Sequence, residues 1–190
     1  MSKRNAFVIL LLFVLIVLSG VAFGWELPMF LMIHDISTDT ENPPDFEALL
    51  PLRVGARNPA GYPGKKVAAL QKQAYPDLKP LKIAAPFSGV FQSALDTARE
   101  LGWEVVSHDS GRGRIEAVAT THWLRFKDDV VVRLERQGDQ VRVDMRSKSR
   151  VGRSDLGENA RRIRRFLKAL HKRIPGASSD QSKYMRGDSG

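Results

Sequence analysis

The feature of this chain that most restricts its fold is an uncharged, apolar run close to the amino terminus. Residues 6–24 contain no charged side chain, and Lys3 and Arg4 precede them. As an α-helix, these 19 residues would rise about 28 Å, close to the roughly 30 Å hydrocarbon thickness of a bilayer. Basic residues before the run, and none directly after it, predict that the amino terminus stays inside. The sequence therefore predicts a cytoplasmic stub over 1–5 and a transmembrane signal anchor over 6–24.

Two interpretations of this run remain open. Ala22, Phe23 and Gly24 have the small-x-small pattern of a cleavage site, so cleavage before Trp25 would release the rest of the chain to the periplasm. The run is longer, however, than the roughly 7–15 apolar residues of a typical signal peptide, which favours an uncleaved, single-pass anchor in the cytoplasmic (inner) membrane. Both interpretations place the domain on the extracytoplasmic side, in the cell envelope, and argue against a nucleic-acid partner.

The remaining chain, about 166 residues, is long enough for one domain of ordinary size. Its first part, residues 25–85, is rich in proline, and Pro43-Pro44 disfavour a helix there. We predict that this segment is extended and packs along the domain. The chain has no cysteine, which excludes a disulfide framework, a thiolate metal site and a cysteine nucleophile.

Residues 86–175 combine helix and strand patterns. Apolar residues recur every three or four positions after Ser88, which we expect to cap a helix that Gly102 ends. Four strand-like stretches joined by short turns follow, which predicts an antiparallel meander. A second helix closes the domain. The pattern predicts an α+β fold with the helices on one face of a four-stranded sheet, and a disordered tail over 176–190.

The last predicted helix is basic and amphipathic. Asp155 and Glu158 have the spacing of a capping box at its start. Its apolar stripe consists of Leu156, Ala160, Ile163, Leu167, Leu170 and Ile174. Its opposite face is cationic and holds Arg161, Arg162, Arg164, Arg165, Lys168 and Lys172. The formal net charge of +9 comes from residues 142–173, so we expect an anionic partner: membrane headgroups, or an acidic envelope protein or polymer.

An arginine- and serine-rich segment, residues 146–155, leads into this helix and fits two kinds of chemistry. Its candidate residues, with one from the helix, are Arg146, Ser147, Arg150, Arg153, Ser154, Asp155 and Asn159. Cations, hydroxyls and a helix amino terminus together suit an anion-binding site for phosphate or carboxylate. The same residues suit an internal salt-bridge cluster, which the complementary sign of the acidic stretch before residue 42 favours. The possible partners are His34, Asp35, Ser37, Thr38, Asp39, Asp128 and Asp129.

Catalytic signals are weak in this sequence. The adjacent carboxylates 128–129 would point to opposite faces of a strand. His34, Asp35 and Ser37 have the residue types of a base, an orienting group and a nucleophile, but the chain lacks the G-x-S-x-G and H-E-x-x-H motifs. We therefore expect a non-catalytic binding or scaffolding module without a cofactor or metal. The alternative is a hydrolase that acts on an anionic envelope substrate through residues 34–38 and the arginine- and serine-rich segment.

Three blocks of the sequence resemble one family. They are residues 33–46 (IHDISTDTENPPDF), 121–134 (THWLRFKDDVVVRL) and 143–167 (VDMRSKSRVGRSDLGENARRIRRFL). Together they are similar to the bacterial and plastid family called domain of unknown function 1499, over nearly all of the chain after the apolar run. The resemblance implies a membrane-associated or exported domain, and it implies no activity.

Overall fold

The computed structural model describes residues 33–121, 125–152 and 154–174. The strands in these ranges are β1 (Asp35–Ser37), β2 (Leu81–Ile83), β3 (Glu104–Asp109), β4 (Arg114–Thr120), β5 (Lys127–Gln137) and β6 (Gln140–Ser149). The α-helices are α1 (Lys65–Ala74), α2 (Phe87–Glu100) and α3 (Glu158–Arg173), and a short 3-10 helix spans Leu50–Arg53. The predicted α+β class with an antiparallel sheet is confirmed.

The predictions about the chain ends concern residues outside these ranges. The stub over 1–5, the anchor over 6–24 and the tail over 176–190 are all outside the described residues. Within the described ranges, no helix is both long enough and apolar enough to cross a bilayer.

The sheet is larger than the sequence predicts. Its strand order is β1-β6-β5-β4-β3, and β2 also pairs with β6. The strands β3 to β6 form the meander, whereas β1 and β2 come from the proline-rich segment. They lie end to end along the outer edge of β6, β1 opposite residues 146–148 and β2 opposite residues 141–143. Each added strand has only three residues, too few to show alternation, and it forms because the edge of β6 offers unpaired backbone groups.

The main apolar core lies between one face of the sheet and the helices α2 and α3. Val132 and Met145 of the sheet share a buried cluster with Leu95 of α2. Trp103, which follows α2, stacks on Phe166 of α3 with ring centroids 5.2 Å apart. Aromatic stacking of this kind adds to the burial of apolar area, so the two helices and the sheet form one packed unit.

The ends of α2 differ in how well the sequence predicts them. The N-cap of α2 is Pro86 and its first residue is Phe87, so Ser88 lies inside the helix instead of capping it. Pro86 has a ψ of 135°, outside the helical range, so the helix begins with the residue after it. At the other end, Gly102 has a φ of 75°, the left-handed conformation expected of a helix stop.

The start of α3 requires three corrections. The carboxylate of Asp155 accepts the N–H of Asn159 at 2.7 Å, but the carboxylate of Glu158 pairs with arginines, so the two do not form a reciprocal capping box. Leu156 precedes the helix and is 66% exposed, which removes it from the apolar stripe. Arg162 is buried, although its spacing predicts that it belongs to the cationic face. It lies over the start of β5, where it donates to the carboxylate of Asp128.

The second face of the sheet is covered by residues 38–62, which we name the strap. Phe46 and Leu49 of the strap pack on Val118 and Val131. The N–H of Leu49 donates to Oε2 of Glu116 at 3.0 Å. Most other side chains on this face are charged, and the strap buries them. We name it the charged face.

Candidate functional site

The charged face is organised around the carboxylate of Asp35. This carboxylate accepts Nε and Nη2 of Arg146, each at 2.9 Å, and Nζ of Lys148 at 2.8 Å. All three residues are 0% exposed. The register of β1 on β6 pairs Asp35 with Lys148 and Ser37 with Arg146. Residues two apart on a strand point to the same side, so Asp35, Arg146 and Lys148 share one face of the sheet. One buried carboxylate therefore serves two buried cations.

The strap completes the surroundings of Arg146. Its Nη1 donates to the carbonyl oxygen of Pro44 at 3.2 Å, and its Nη2 donates to that of Ala60 at 2.8 Å. The guanidinium lies 4.7 Å from the ring centroid of Phe46 and 5.4 Å from that of Tyr62, within cation–π range. Burial raises the pKa of Tyr62 to about 12. The donors of Arg146 are thus used inside the protein and do not face a ligand.

Asp129 forms a second node of the same kind. It accepts Nε and Nη2 of Arg150 at 3.0 and 2.7 Å, and it is ion-paired with Nη1 of Arg53. Arg53 ends the 3-10 helix of the strap and also donates to the carbonyl oxygen of Asn58 at 2.8 Å. Asn58 in turn donates to the carbonyl oxygen of Ser149 at 2.9 Å. The node therefore fastens the strap to the end of β6.

A third node lies at the other end of the charged face. Asp39 accepts Nη2 of Arg142 at 2.6 Å and Nη2 of Arg133 at 3.3 Å, and Asp144 accepts Arg133 at 2.9 Å. Burial alone would raise the pKa of Asp39, but hydrogen bonds from the N–H of Asn42 and from Arg142 outweigh it, so this pKa lies below its ordinary value. At Asp144 burial dominates and raises the pKa despite Arg133.

A separate polar cluster is buried on the helix side of the sheet. Arg162 donates to Asp128 at 2.7 Å, to Oδ1 of Asn159 at 2.6 Å and to the hydroxyl of Ser147 at 3.0 Å. The hydroxyl of Ser147 donates to Oδ1 of Asn159 at 2.7 Å, and Nδ2 of Asn159 donates to the hydroxyl of Ser149 at 3.0 Å. These bonds join the first turns of α3 to β5 and β6.

The residues predicted as a hydrolytic set have other partners. The hydroxyl of Ser37 donates to the carbonyl oxygen of Asp39 at 2.8 Å, so its proton is held by the backbone. The hydroxyl of Thr38 accepts the N–H of Met145 at 2.9 Å. The carbonyl oxygen of His34 accepts the N–H of Ser149 at 2.9 Å. Hydroxyls and carboxylates of the two predicted segments thus serve structure.

The arginine- and serine-rich segment also includes Arg153 and Ser154. Arg153 lies outside the described residues. Ser154 accepts the N–H of Leu156 at 3.1 Å, which shapes the turn before α3. In the described part of the chain, no group of three or more His, Asp and Glu side chains is placed to hold a metal ion.

An open cleft of about 720 Å³ lies beside the amino-terminal end of α3. This volume is within the roughly 300–1,000 Å³ of small-molecule sites. Its apolar lining includes Leu101, Trp103, Ala119, Phe126, Val151 and Leu156. Its polar lining includes Thr120, Thr121, Asp128, Ser149, Ser154, Asp155, Glu158, Arg161, Arg162 and Arg165. Sequence reasoning missed the cleft because its walls come from four separate stretches of chain.

Unusual backbone conformations occur at, or next to, two apolar residues that line the cleft. Arg125 has a φ of 54° and Leu156 a φ of 53°, and among the described residues these are the positive-φ positions that are not glycine. Left-handed backbone costs roughly 1–2 kcal/mol for a residue with a Cβ. Arg125 immediately precedes Phe126, which is 46% exposed, and Leu156 is itself exposed. Strain and exposed apolar area therefore coincide at this cleft.

The rim of the cleft is cationic, whereas its floor holds one ion pair and the carboxylate of Asp155. Arg161 and Arg165 share the carboxylate of Glu158, at 3.0 and 2.7 Å. On the floor, Asp128 is matched by Arg162. Burial raises the pKa of Asp155, against the opposing effect of the backbone N–H groups that it accepts. The rim is left with one more cation than carboxylate.

Comparison with known proteins places the chain in a family. None of the curated proteins matches its sequence. A solved structure, that of TTHA0849 from Thermus thermophilus, has 16% identity and a TM-score of 0.30 over 48% of this chain and 91% of that one, too low a likeness to carry an inference. The family described as "Protein of unknown function (DUF1499)" matches residues 35–170, which include every node of the charged face and the cleft. The chain therefore belongs to the DUF1499 family.

Proposed function

We propose that this protein is a non-catalytic binding module, anchored in the cytoplasmic membrane through residues 6–24 and facing the cell envelope, whose partner is an anionic membrane surface. The proposal rests on a row of cations along the outer side of α3. The row consists of Arg161, Arg165, Lys168 and Lys172, all exposed. Spacings of four, three and four residues place side chains on one side of a helix. We name these four residues the basic row.

The basic row has a surplus of positive charge. Glu158 neutralises part of it by pairing with Arg161 and Arg165. Lys168 and Lys172 form no ion pair within the described part of the chain. The cations of the charged face are each paired with a carboxylate, whereas the basic row is exposed and available to a partner.

The proposed anchor would keep this surface close to headgroups. Eight residues lie between Gly24 and Ile33, where the described domain begins, and the nine steps from one to the other span at most about 32 Å. Each cation near an anionic bilayer surface contributes about 1 kcal/mol. The four cations and Glu158 together carry three net positive charges, which would favour the docked orientation by roughly 3 kcal/mol, a factor of about 150.

We predict that the domain faces the extracytoplasmic side and stays attached. A reporter enzyme that is active only after export, fused after Gly190, should be active, because the charge bias around residues 6–24 directs the chain outward. The protein should remain with membranes after a high-salt wash. Activity of a cytoplasmic reporter instead would contradict the topology, whereas Trp25 as the mature amino terminus, found by mass spectrometry, would contradict the anchor.

We also predict that anionic lipid protects the lysines of the basic row. The full chain would be placed in nanodiscs of anionic or zwitterionic lipid and treated with a water-soluble acylating reagent, with each lysine followed by mass spectrometry. Acylation of Lys168 and Lys172 should slow several-fold in the anionic discs and recover in high salt, since salt screens surface attraction. Lys65 and Lys66 of α1 are also exposed and serve as controls. Four lysines that respond alike would contradict the proposal.

A further inference from the structure

The cleft beside α3 has features that folding alone does not explain. Phe126 and Leu156 line it with exposed apolar side chains, and the backbone of Leu156 and of Arg125, next to Phe126, is left-handed. Each feature lowers stability, and strained residues of this kind are concentrated at ligand sites. Because the side chain of Leu156 is exposed, its burial does not offset the cost of the left-handed backbone. A ligand that covered the side chains of Phe126 and Leu156 would bury them and offset this cost.

The charged side chains of the cleft indicate where the charged end of a ligand would lie. On the floor, Arg162 and Asp128 neutralise each other, and both oxygens of Asp155 already accept backbone N–H groups, from Gly157 and Asn159, so no floor cation is left to bind an anion. The rim has two guanidinium groups, those of Arg161 and Arg165, for one carboxylate. An apolar chain therefore suits the walls, and an anionic group suits the rim.

We propose that this cleft binds one apolar chain of an amphiphile whose anionic headgroup lies at Arg161 and Arg165. The volume of about 720 Å³ suits a single chain of moderate length. Guanidinium groups bind carboxylate or phosphate oxygens through paired hydrogen bonds. The site shares Arg161 and Arg165 with the basic row, but Lys168 and Lys172 of that row do not line the cleft.

The test uses Trp103 as a reporter, because it lines the cleft. Trp25 and Trp123 would be replaced by phenylalanine in the full chain, which would then be placed in nanodiscs of zwitterionic lipid. Bromododecanoic acid, whose bromine quenches tryptophan fluorescence on contact, would be titrated in, and bromododecanol would serve as the uncharged analogue. We expect saturable quenching by the acid at a concentration about tenfold lower than by the alcohol, since the rim favours a carboxylate.

Three variants separate ligand binding from structure. Leu156→Gly should weaken binding of the acid about tenfold, because apolar contact is lost, while the Tm stays equal or rises, because glycine relieves the left-handed strain. Arg161→Gln together with Arg165→Gln should weaken the acid about tenfold and leave the alcohol unchanged. Lys172→Gln, which removes a charge from the basic row outside the cleft, should leave both affinities unchanged.

The outcomes decide the proposal in either direction. Quenching that rises without saturation, and equally in the Leu156→Gly variant, would show simple partition into the disc and overturn it. An alcohol that binds as tightly as the acid would overturn the assignment of the headgroup. Failure of the lysine-protection experiment would leave the expected quenching unchanged, because that experiment reports Lys168 and Lys172 rather than the cleft.

Discussion

Replacement of Asp35 by asparagine is expected to lower the free energy of unfolding by about 3–5 kcal/mol, because it leaves two buried cations without their carboxylate. Arg146 and Lys148 both donate to Asp35 at 2.8–2.9 Å and neither side chain reaches solvent. A domain of this size has only about 5–15 kcal/mol of stability. Urea unfolding of the full chain in one detergent would measure the loss.

Two matched variants make this result specific. Asp45 also lies near Arg146, with 3.5 Å between Oδ1 and Nη1, but its side chain is 82% exposed. Asp45→Asn should therefore cost only about 0–1 kcal/mol. Lys148→Met should cost about 1.5 kcal/mol or less, since it leaves the pair of Asp35 and Arg146 balanced. If Asp35→Asn costs no more than Asp45→Asn, the buried node is not a stabilising centre.

The same node gives the Lys148 comparison a pH dependence. Burial lowers the pKa of Lys148 below 10.5, although Asp35 opposes the effect. The folded chain therefore releases this proton at a lower pH than the unfolded chain does. Burying the charged form of Lys148 lowers the free energy of unfolding. This loss is full below the pKa of the folded state and disappears as the pH rises to 10.5, the value for the unfolded chain. Wild type should thus gain stability relative to Lys148→Met across that window.

Gly113→Ala is expected to be among the most destabilising single-methyl changes in the domain. Gly113 lies in the turn between β3 and β4 with a φ of 64°, and a Cβ there would be 2.2 Å from the backbone oxygen of Leu134. The carbonyl oxygen of Gly113 also accepts the N–H of Leu134 at 2.7 Å, so neither strand can move away without loss of a hydrogen bond. We expect a loss of about 3 kcal/mol or more.

Gly138→Ala is the control for this prediction. Gly138 has a φ of 63°, almost that of Gly113, but no atom lies within 4 Å of the Cβ that alanine would add. This variant should show only the left-handed strain, about 1–2 kcal/mol. The difference between the two variants, measured by urea unfolding, isolates the steric contact. Equal losses would mean that the turn relaxes away from Leu134.

The residues that carried the family resemblance have a structural explanation. Asp35 comes from the first block, Asp129 from the second, and Arg146 and Arg150 from the third. The charged face joins them into two buried nodes. A buried ion pair is weak support for stability but is damaging to break. The three blocks therefore supply the buried ion pairs that hold the strap over the sheet.

The sequence by itself determined the regular elements of this domain. Helical spacing located α2 and α3, alternation located β4 and β6, and Gly102 marked the end of α2. These signals are local, because each depends on residues within a few positions of one another. The alternation of side chains along a strand also predicted that Asp128 and Asp129 point to opposite faces of the sheet. In the structure, Asp128 pairs with Arg162 and Asp129 with Arg150.

Only the tertiary structure decided which charges are buried and what they meet. The edge strands β1 and β2 are too short to show a period, and they exist because β6 leaves an edge to pair. The partner of Asp35 lies 111 residues away, a separation at which spacing carries no information. Arg146 and Lys148 are two residues apart on β6, in line with Arg142 and Asp144, as on an exposed polar face, but the strap covers them. Burial is a property of both layers that meet, and no single segment of the sequence contains both.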